Sequence, residues 1–208
     1  MSWILLVRPF RYEALTIGVL LLVGAFASAP SLPALEPGRV VGVVGRMGTG
    51  KTLLVVGWAI ALRRLRPHSR IVTNFGLDCA DQVVSSWAEV YELRDCVFIL
   101  DEAHLWASSN SSKALNLQGR QWISQLRKRG VVLVWVSQSQ ARVAKALREL
   151  TTDLWVCRKM WGYHIVIMRD PDNEDAKPLG WSLRRLDLDA ARAYRTRDDV
   201  PIPSDSTY

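Results

Sequence analysis

The chain has 208 residues, 49% of them hydrophobic and 23% charged, with a formal net charge of +7. That composition suits one globular domain with a full core plus an appendage, and it excludes an intrinsically disordered chain. The basic balance points to a polyanionic partner or an anionic membrane surface. The three cysteines, Cys79, Cys96 and Cys157, form no C-x-x-C pair and no Cys/His ligand spacing, which speaks against a zinc module or a disulfide framework. They read as buried thiols in a reducing compartment.

Residues 14–35, ALTIGVLLLVGAFASAPSLPAL, carry no charge, and residues 3–7 form a second apolar run. The uninterrupted part before Pro30 is short for a straight span of about 20 residues. Arg8 and Arg11 before it and Ala27-Ser28-Ala29 after it have the layout of a secretory signal. Cleavage there would place the rest of the chain outside the cell, a reading set aside on account of the segment that follows it. A membrane anchor, a re-entrant hairpin, a helix docked on a partner and a helix packed on its own domain all remain open. Pro30, Pro33 and Pro37 then mark a stiff linker, giving an apolar segment over 1–37, a domain over 38–186 and a polar tail over 187–208.

The segment VVGVVGRMGTGKT follows. Val40, Val41, Val43 and Val44 predict a short buried strand, and Gly45-Arg46-Met47-Gly48-Thr49-Gly50-Lys51-Thr52 fills every fixed position of G-x-x-x-x-G-K-[ST]. Glycines let consecutive amide N–H groups curl around a phosphate, and the helix that begins near Lys51 adds its positive dipole end. Lys51 is expected on the β- and γ-phosphates of ATP, and Thr52 on a Mg²⁺ ion. A helix is predicted over 53–65, ending in Arg63, Arg64 and Arg66 before Pro67. A strand is predicted over 70–73 and an amphipathic helix over 82–93, burying Val83, Val84, Trp87, Val90 and Tyr91.

Residues 96–100 are wholly apolar and end in Asp101-Glu102-Ala103-His104. A carboxylate at the tip of a buried strand is what a Mg²⁺·triphosphate requires opposite its phosphate loop. Asp101 is expected to hold the metal and Glu102 to polarise the attacking water; an acid that merely caps a new helix is the competing reading. His104 is assigned no chemistry. SSNSSK at 108–113 reads as a polar loop, 115–129 as a helix stopped by Gly130, and 131–136 as another apolar strand. Gln138, just past that strand, is the candidate γ-phosphate sensor, with an ordinary loop residue as the alternative. A basic helix over 142–150, strands over 154–157 and 163–168, and a charged turn over 170–177 complete the pattern.

Strands alternating with helices argue an α/β parallel sheet. An inserted strand followed by an acid pair resembles the RecA-like, additional-strand branch of P-loop NTPases. Within it, GRMGTGKT (45–52), VTNFG (72–76), VFILDEAH (97–104) and RKRGVVLVWVSQ (127–138) resemble the FtsK/HerA group of DNA-pumping ATPases. The small size resembles genome-packaging ATPases of viruses with an internal membrane. The VTNFG and DEAH blocks are also similar to zonula-occludens-toxin-like assembly ATPases of filamentous phages, whose membrane segment usually follows the ATPase domain. Ser139-Gln140 departs from the Arg-Pro pair common in cellular members, and Arg46 and Met47 are bulkier than usual for the loop.

The resemblance implies a ring of identical subunits with ATP at each boundary. A neighbour's arginine then reaches the γ-phosphate, with Arg127 and Arg129 as candidates and Arg120 and Arg142 as further possibilities, against the alternative of a solvated helix end. It implies sequence-independent phosphate contacts to DNA, for which Arg142, Lys145 and Arg148 are candidates, although an exposed helix face has the same pattern. It further implies capsid or portal-like partners, a membrane or membrane-protein partner through 1–37, and a place in the host cytoplasm or virion at a membrane's inner face. A nucleotide-switched membrane module without motor activity is the remaining alternative.

Overall fold

Residues 36–109, 117–160, 163–173 and 177–185 are described in a computed structural model. Their centre is a set of strands with almost no solvent contact: β1 (Val40–Val44), β4 (Cys96–Leu100) and β5 (Val132–Ser137) are buried at every position. Uniform burial is what a parallel sheet covered on both faces demands. With β2 (Arg70–Thr73), β3 (Gln82–Val83), β6 (Asp153–Met160), β7 (Tyr163–Arg169) and β8 (Gly180–Arg185), they form one eight-stranded sheet in the order β3-β2-β4-β5-β1-β6-β7-β8. Every pair from β3 through β6 is parallel, and β6–β7 and β7–β8 are antiparallel. The expected α/β sheet is therefore present, with β5 inserted between β1 and β4, and an antiparallel extension widens it.

Side-chain parity along β1 divides the core. Val41 and Val43 pack with Val55, Trp58, Ala59 and Leu62 of α1 (Lys51–Leu65) on one face. Val40 and Val44 pack on the other face with residues of α2 (Trp87–Tyr91), α3 (Ala103–Trp106), α4 (Leu117–Ser124) and α5 (Lys145–Glu149). Gly42 lies against the Trp135 indole, where any side chain would collide with the ring. The indole Nε1 in turn donates to Thr151 Oγ1 at 3.1 Å, so this large group is buried with its polar atom satisfied.

Three expectations change. Residues 82–93 are not one helix: Gln82 and Val83 pair with Val72 and Thr73, and Val83 is 49% exposed. The helix starts only after Ser86, whose side chain accepts from Glu89 N while Glu89 Oε1 accepts from the Ser86 hydroxyl. This Ser-x-x-Glu exchange fixes the start at 87. The helix expected over 115–129 ends at Ser124 and gives way to turns that close at Gly130, which has φ of +68°. The basic helix over 142–150 is split into a 3₁₀ turn (Gln140–Arg142) and α5. β8 was not anticipated, and β6 is longer than expected.

Cys96 and Cys157 are buried, Cys79 is half-buried, and none is bridged; burial pushes the Cys96 thiol up to about 11 and the Cys157 thiol up to about 12. Among the described residues no helix is long and apolar enough to cross a membrane; residues 14–35 lie outside them, as do 110–113 and the tail from 187.

Gly38 N donates to Val131 O, and Arg39 clasps Asp153 through two hydrogen bonds of 2.8 and 2.9 Å, so the segment that enters β1 is tied to the starts of β5 and β6. A chain begun at Glu36 should therefore remain folded and bind ATP with the same affinity as the full chain. Loss of cooperative thermal unfolding in that truncation would show instead that residues 1–35 complete the core.

Candidate nucleotide-binding site

The site is assembled where β1, β4 and β5 reach their C-terminal ends. After Val44 the chain turns through Gly45 to Gly50 and enters α1 with Gly50 as N-cap in the left-handed region, at φ 81° and ψ 26°. Glycine adopts this left-handed conformation without steric cost, and the first amides of the helix it precedes have no intrahelical partner. Gly50 also lies against the imidazole of His164, on β7, at a distance that leaves no space for a Cβ. Burial, and behind it the Lys159 ammonium, holds His164 below its usual value, so the ring is neutral at physiological pH. The carbonyl of Arg46 accepts from Thr49 Oγ1 (2.8 Å) and from Lys51 Nζ (3.2 Å), which folds the loop around Lys51; that side chain is only 6% exposed.

Thr52, the second residue of α1, donates its hydroxyl to Asp101 Oδ2 at 2.9 Å. Asp101, 2% exposed, is held from three sides. Its N–H donates to Asn74 Oδ1 (2.7 Å), and its carbonyl accepts from Asn74 Nδ2 (2.9 Å). Its Oδ1 accepts from Glu102 N (2.8 Å). Desolvation pushes its carboxyl above the usual carboxylate range, opposed by the Thr52 and Glu102 N–H bonds and by the Lys51 charge.

A buried carboxylate beside a hydroxyl, both hard oxygen donors, the carboxyl pushed up by burial and by the nearby Glu102 charge, fits a divalent cation that would offset its charge. Among the described residues no group of three or more acidic, His or Cys side chains could hold a metal by itself. The pair therefore suits Mg²⁺, which takes one or two protein oxygens and completes its shell from phosphate and water.

Glu102 occupies the N-cap position of α3 with φ and ψ both 46°, and its side chain makes no capping hydrogen bond. Its Oε2 lies 3.1 Å from His104 Nδ1, and its side chain is partly exposed. The acid thus stands one residue beyond Asp101, with Oε2 buried beside the imidazole and without a hydrogen bond, and with part of its side chain exposed. Asn74 and His104 are the residues that sequence reasoning left without a role. The signal for Asn74 was its place at the end of β2 within VTNFG; for His104, its spacing of two from Glu102.

Among the remaining candidates Gln138 borders the phosphate loop, whereas Arg127 and Arg129 lie apart from it. Gln138 follows β5 beside Gly45, in register with the end of β1, but its Oε1 accepts from Arg142 Nη1 at 3.0 Å. Arg127 and Arg129 precede β5, so a strand roughly 20 Å long separates them from the phosphate loop. Arg127 lines a cavity with Arg39 and Asp153 at the opposite edge, and Arg129 Nη1 donates to Tyr91 O at 2.6 Å. Arg120 is exposed on α4, and Lys145 pairs with Glu149 at 3.4 Å. Met47, at the tip of the phosphate loop, is 82% exposed.

No family model and no curated protein matches the sequence. Among solved structures, the chain is similar to the N-terminal domain of zonular occludens toxin from Neisseria meningitidis, with 17% identity and a TM-score of 0.60 over 77% of this chain and 100% of that one. It is also similar to the genome packaging NTPase B204 from Sulfolobus turreted icosahedral virus 2. In complex with AMPPCP that structure shows 13% identity and a TM-score of 0.54 over 74% of this chain and 100% of that one; with ATP-γS the values are 12% and 0.53 over 73% and 99%.

An alanine at position 50 would have to hold a left-handed backbone, which costs about 1–2 kcal/mol, and would press on the buried His164. Gly50→Ala should lower thermal stability and abolish the ATP-induced shift expected of the wild-type chain; a variant that keeps that shift would remove the close approach from the binding argument. Both solved folds named above are of the kinds that the motifs resemble, and the chain has their α/β, additional-strand P-loop NTPase fold.

Proposed function

We propose that this chain is a Mg²⁺·ATP hydrolase that moves DNA during virus or phage assembly. The observation that carries the proposal is the 2.9 Å hydrogen bond between Thr52 and Asp101, with Glu102 next in the chain. It joins a phosphate loop and an acid pair into one centre, although they come from strands separated by β5. In this reading Lys51 and the loop amides hold the β- and γ-phosphates, and Thr52 and Asp101 hold the metal. Glu102, oriented by His104, takes the proton of the attacking water. Bound Mg²⁺ supplies charge neutralisation on the phosphate oxygens.

Genome packaging is the first reading, supported by the likeness in fold to a protein described as a genome packaging NTPase. DNA extrusion or virion assembly at a membrane, in the manner of the zonula-occludens-toxin-like ATPases, is the second. It is favoured by the higher TM-score to the toxin's N-terminal domain, 0.60 against 0.53 and 0.54. Either reading uses a homo-oligomeric ring, with Arg127 the better placed trans arginine: it is exposed, at the far edge of its own subunit, whereas Arg129 is bonded to Tyr91. Either one also gives residues 1–37 the task of meeting a membrane or membrane protein on the inner face of that membrane, and leaves capsid or portal-like proteins as further partners.

Lys51→Ala should lose triphosphate binding, read as loss of the ATP-induced thermal shift. Glu102→Gln should bind ATP as the wild type does and hydrolyse it at least ~100-fold more slowly, the scale of losing a general base; wild-type turnover would remove Glu102 from the chemistry. The ATPase rate measured against added single- and double-stranded DNA should rise with one or both. A rate indifferent to DNA, in a chain that does hydrolyse ATP, would favour the nucleotide-switched module over a motor.

A further inference from the structure

Among the described residues two that are not glycine hold a positive φ, and they stand at the two ends of β4. Asp95, at +47°, opens the strand on an exposed turn, where a short acidic side chain tolerates the left-handed region. Glu102, at +46°, follows the strand with a longer side chain that makes no capping hydrogen bond in return. A residue keeps such a conformation only where its surroundings leave the chain no other course. The side chain that constrains it belongs to Asn74, which is 0% exposed.

We propose that Asn74 is the positioning residue of the metal site: it holds the strained Asp101–Glu102 turn in the shape that brings Asp101 to Thr52, an inference that rests on the Mg²⁺·ATP reading above. β2 ends at Thr73, in register with Ile99, and the chain then turns away as Thr73 Oγ1 donates to Phe75 O at 2.6 Å. The backbone ladder stops there, with Asn74 N donating to Ile99 O at 3.3 Å. The Asn74 carboxamide carries it further, accepting from Asp101 N and donating to Asp101 O. The peptide between Asp101 and Glu102 is thus gripped twice, at its carbonyl by Asn74 and at its N–H by Asp101 Oδ1. On the far side of Glu102, Ala103 and Trp106 are both 0% exposed and fixed in the core. With both flanks held, φ at position 102 has no room to relax.

The chemistry of the side chain matters as much as its place. A carboxamide offers a donor and an acceptor on one planar group. An aspartate at position 74 would accept from the Asp101 N–H but turn its second oxygen against the Asp101 carbonyl. An apolar residue would leave two buried peptide atoms without partners, which is costly. Both side-chain bonds of Asn74 go to Asp101 and none to the phosphate loop. Its influence therefore runs through the carboxylate whose Oδ2 accepts the Thr52 hydroxyl, and falls on the metal and not on the triphosphate.

The test uses the full chain in mild detergent and reads affinity for a fluorescent ATP analogue, in EDTA and across a Mg²⁺ titration. Asn74→Ala should raise the half-saturating Mg²⁺ concentration about 10-fold or more, the scale of losing a group that orients a metal ligand, with affinity in EDTA unchanged. Should that variant not fold, Asn74→Ser, which keeps one polar atom, is read in the same way. Thr73→Val breaks a neighbouring buried hydrogen bond without touching Asp101 and should leave the Mg²⁺ titration as it is. Equal loss of affinity with and without Mg²⁺ in Asn74→Ala, or the same Mg²⁺ shift from Thr73→Val, would overturn the proposal in favour of general loosening. A second readout needs no nucleotide. With Asn74 in place, Glu102→Gly should unfold at a higher temperature than Glu102→Ala, because glycine relieves the left-handed strain. Combined with Asn74→Ala the order should reverse, because in a relaxed turn glycine carries only its entropic cost; the same order in both backgrounds would sink the strained-turn argument. A wild-type chain whose analogue affinity is indifferent to Mg²⁺ would instead sink the metal reading of Thr52 and Asp101, a result distinct from the order of the two Glu102 variants.

Discussion

The hydrogen bond from Thr52 to Asp101 is the constraint on which the arrangement depends. Thr52 sits at the start of α1 and Asp101 just past the end of β4, and β5 runs between β4 and β1. The two groups meet because both chain segments bend over the tip of that intervening strand. The meeting also explains how a carboxylate with 2% exposure is tolerated. An uncompensated buried charge costs several kcal/mol. Here Thr52 and the Glu102 N–H donate to the carboxylate, while the Asn74 side chain clamps the Asp101 backbone in the manner of a further strand. Asn74 is itself fixed by the position of β2 against β4. The order β2-β4-β5-β1 is thus the scaffold of one oxygen pair, and each strand in it has a part in holding that pair.

Two left-handed residues flank this pair, and they differ in what they imply. Gly50 adopts its conformation without penalty and is free of the side chain that would strike His164. Glu102 carries a side chain through the same region, where a non-glycine residue costs of order 1–3 kcal/mol. A glycine would relieve that strain but would remove the carboxylate. The turn places the acid just beyond Asp101 and within 3.1 Å of His104, so the strain belongs to the residue proposed to act on water.

Much of this centre was legible in the amino-acid order because its parts are local: glycine spacing, an apolar strand before each loop, and an acid pair at a strand tip. β2 and β4 begin and end where the residue pattern places them. The misreadings have local causes too. The Val-Val-Ser-Ser stretch before Trp87 was read as helical, although β-branched residues and a serine cap at 86 favour extended chain up to that point. β8 is invisible from Gly180–Arg185 alone, since its side chains show no clean alternation and its identity comes from pairing with β7. The contacts from Asn74 to Asp101 and from His164 to Gly50 join residues 27 and more than 100 positions apart, which only a register can reveal.

The antiparallel extension gives the phosphate loop a third wall that a purely parallel sheet would lack. On one face of that wall His164 presses on Gly50, a neutral ring against the base of the loop. On the other, Arg158 and Arg169 stand beside Arg46. The acids Asp101 and Glu102 lie on the β4 side of the loop, and the cations gather on its β6 side. The loop therefore sits between a flank that carries acids and a flank that carries guanidinium groups. The net charge of +7 is in part sorted by the fold, because β1 carries acids two strands away on one flank and guanidinium groups on the strands of the other. Arg46, whose carbonyl accepts from Lys51 Nζ, is the loop residue that borders the basic flank.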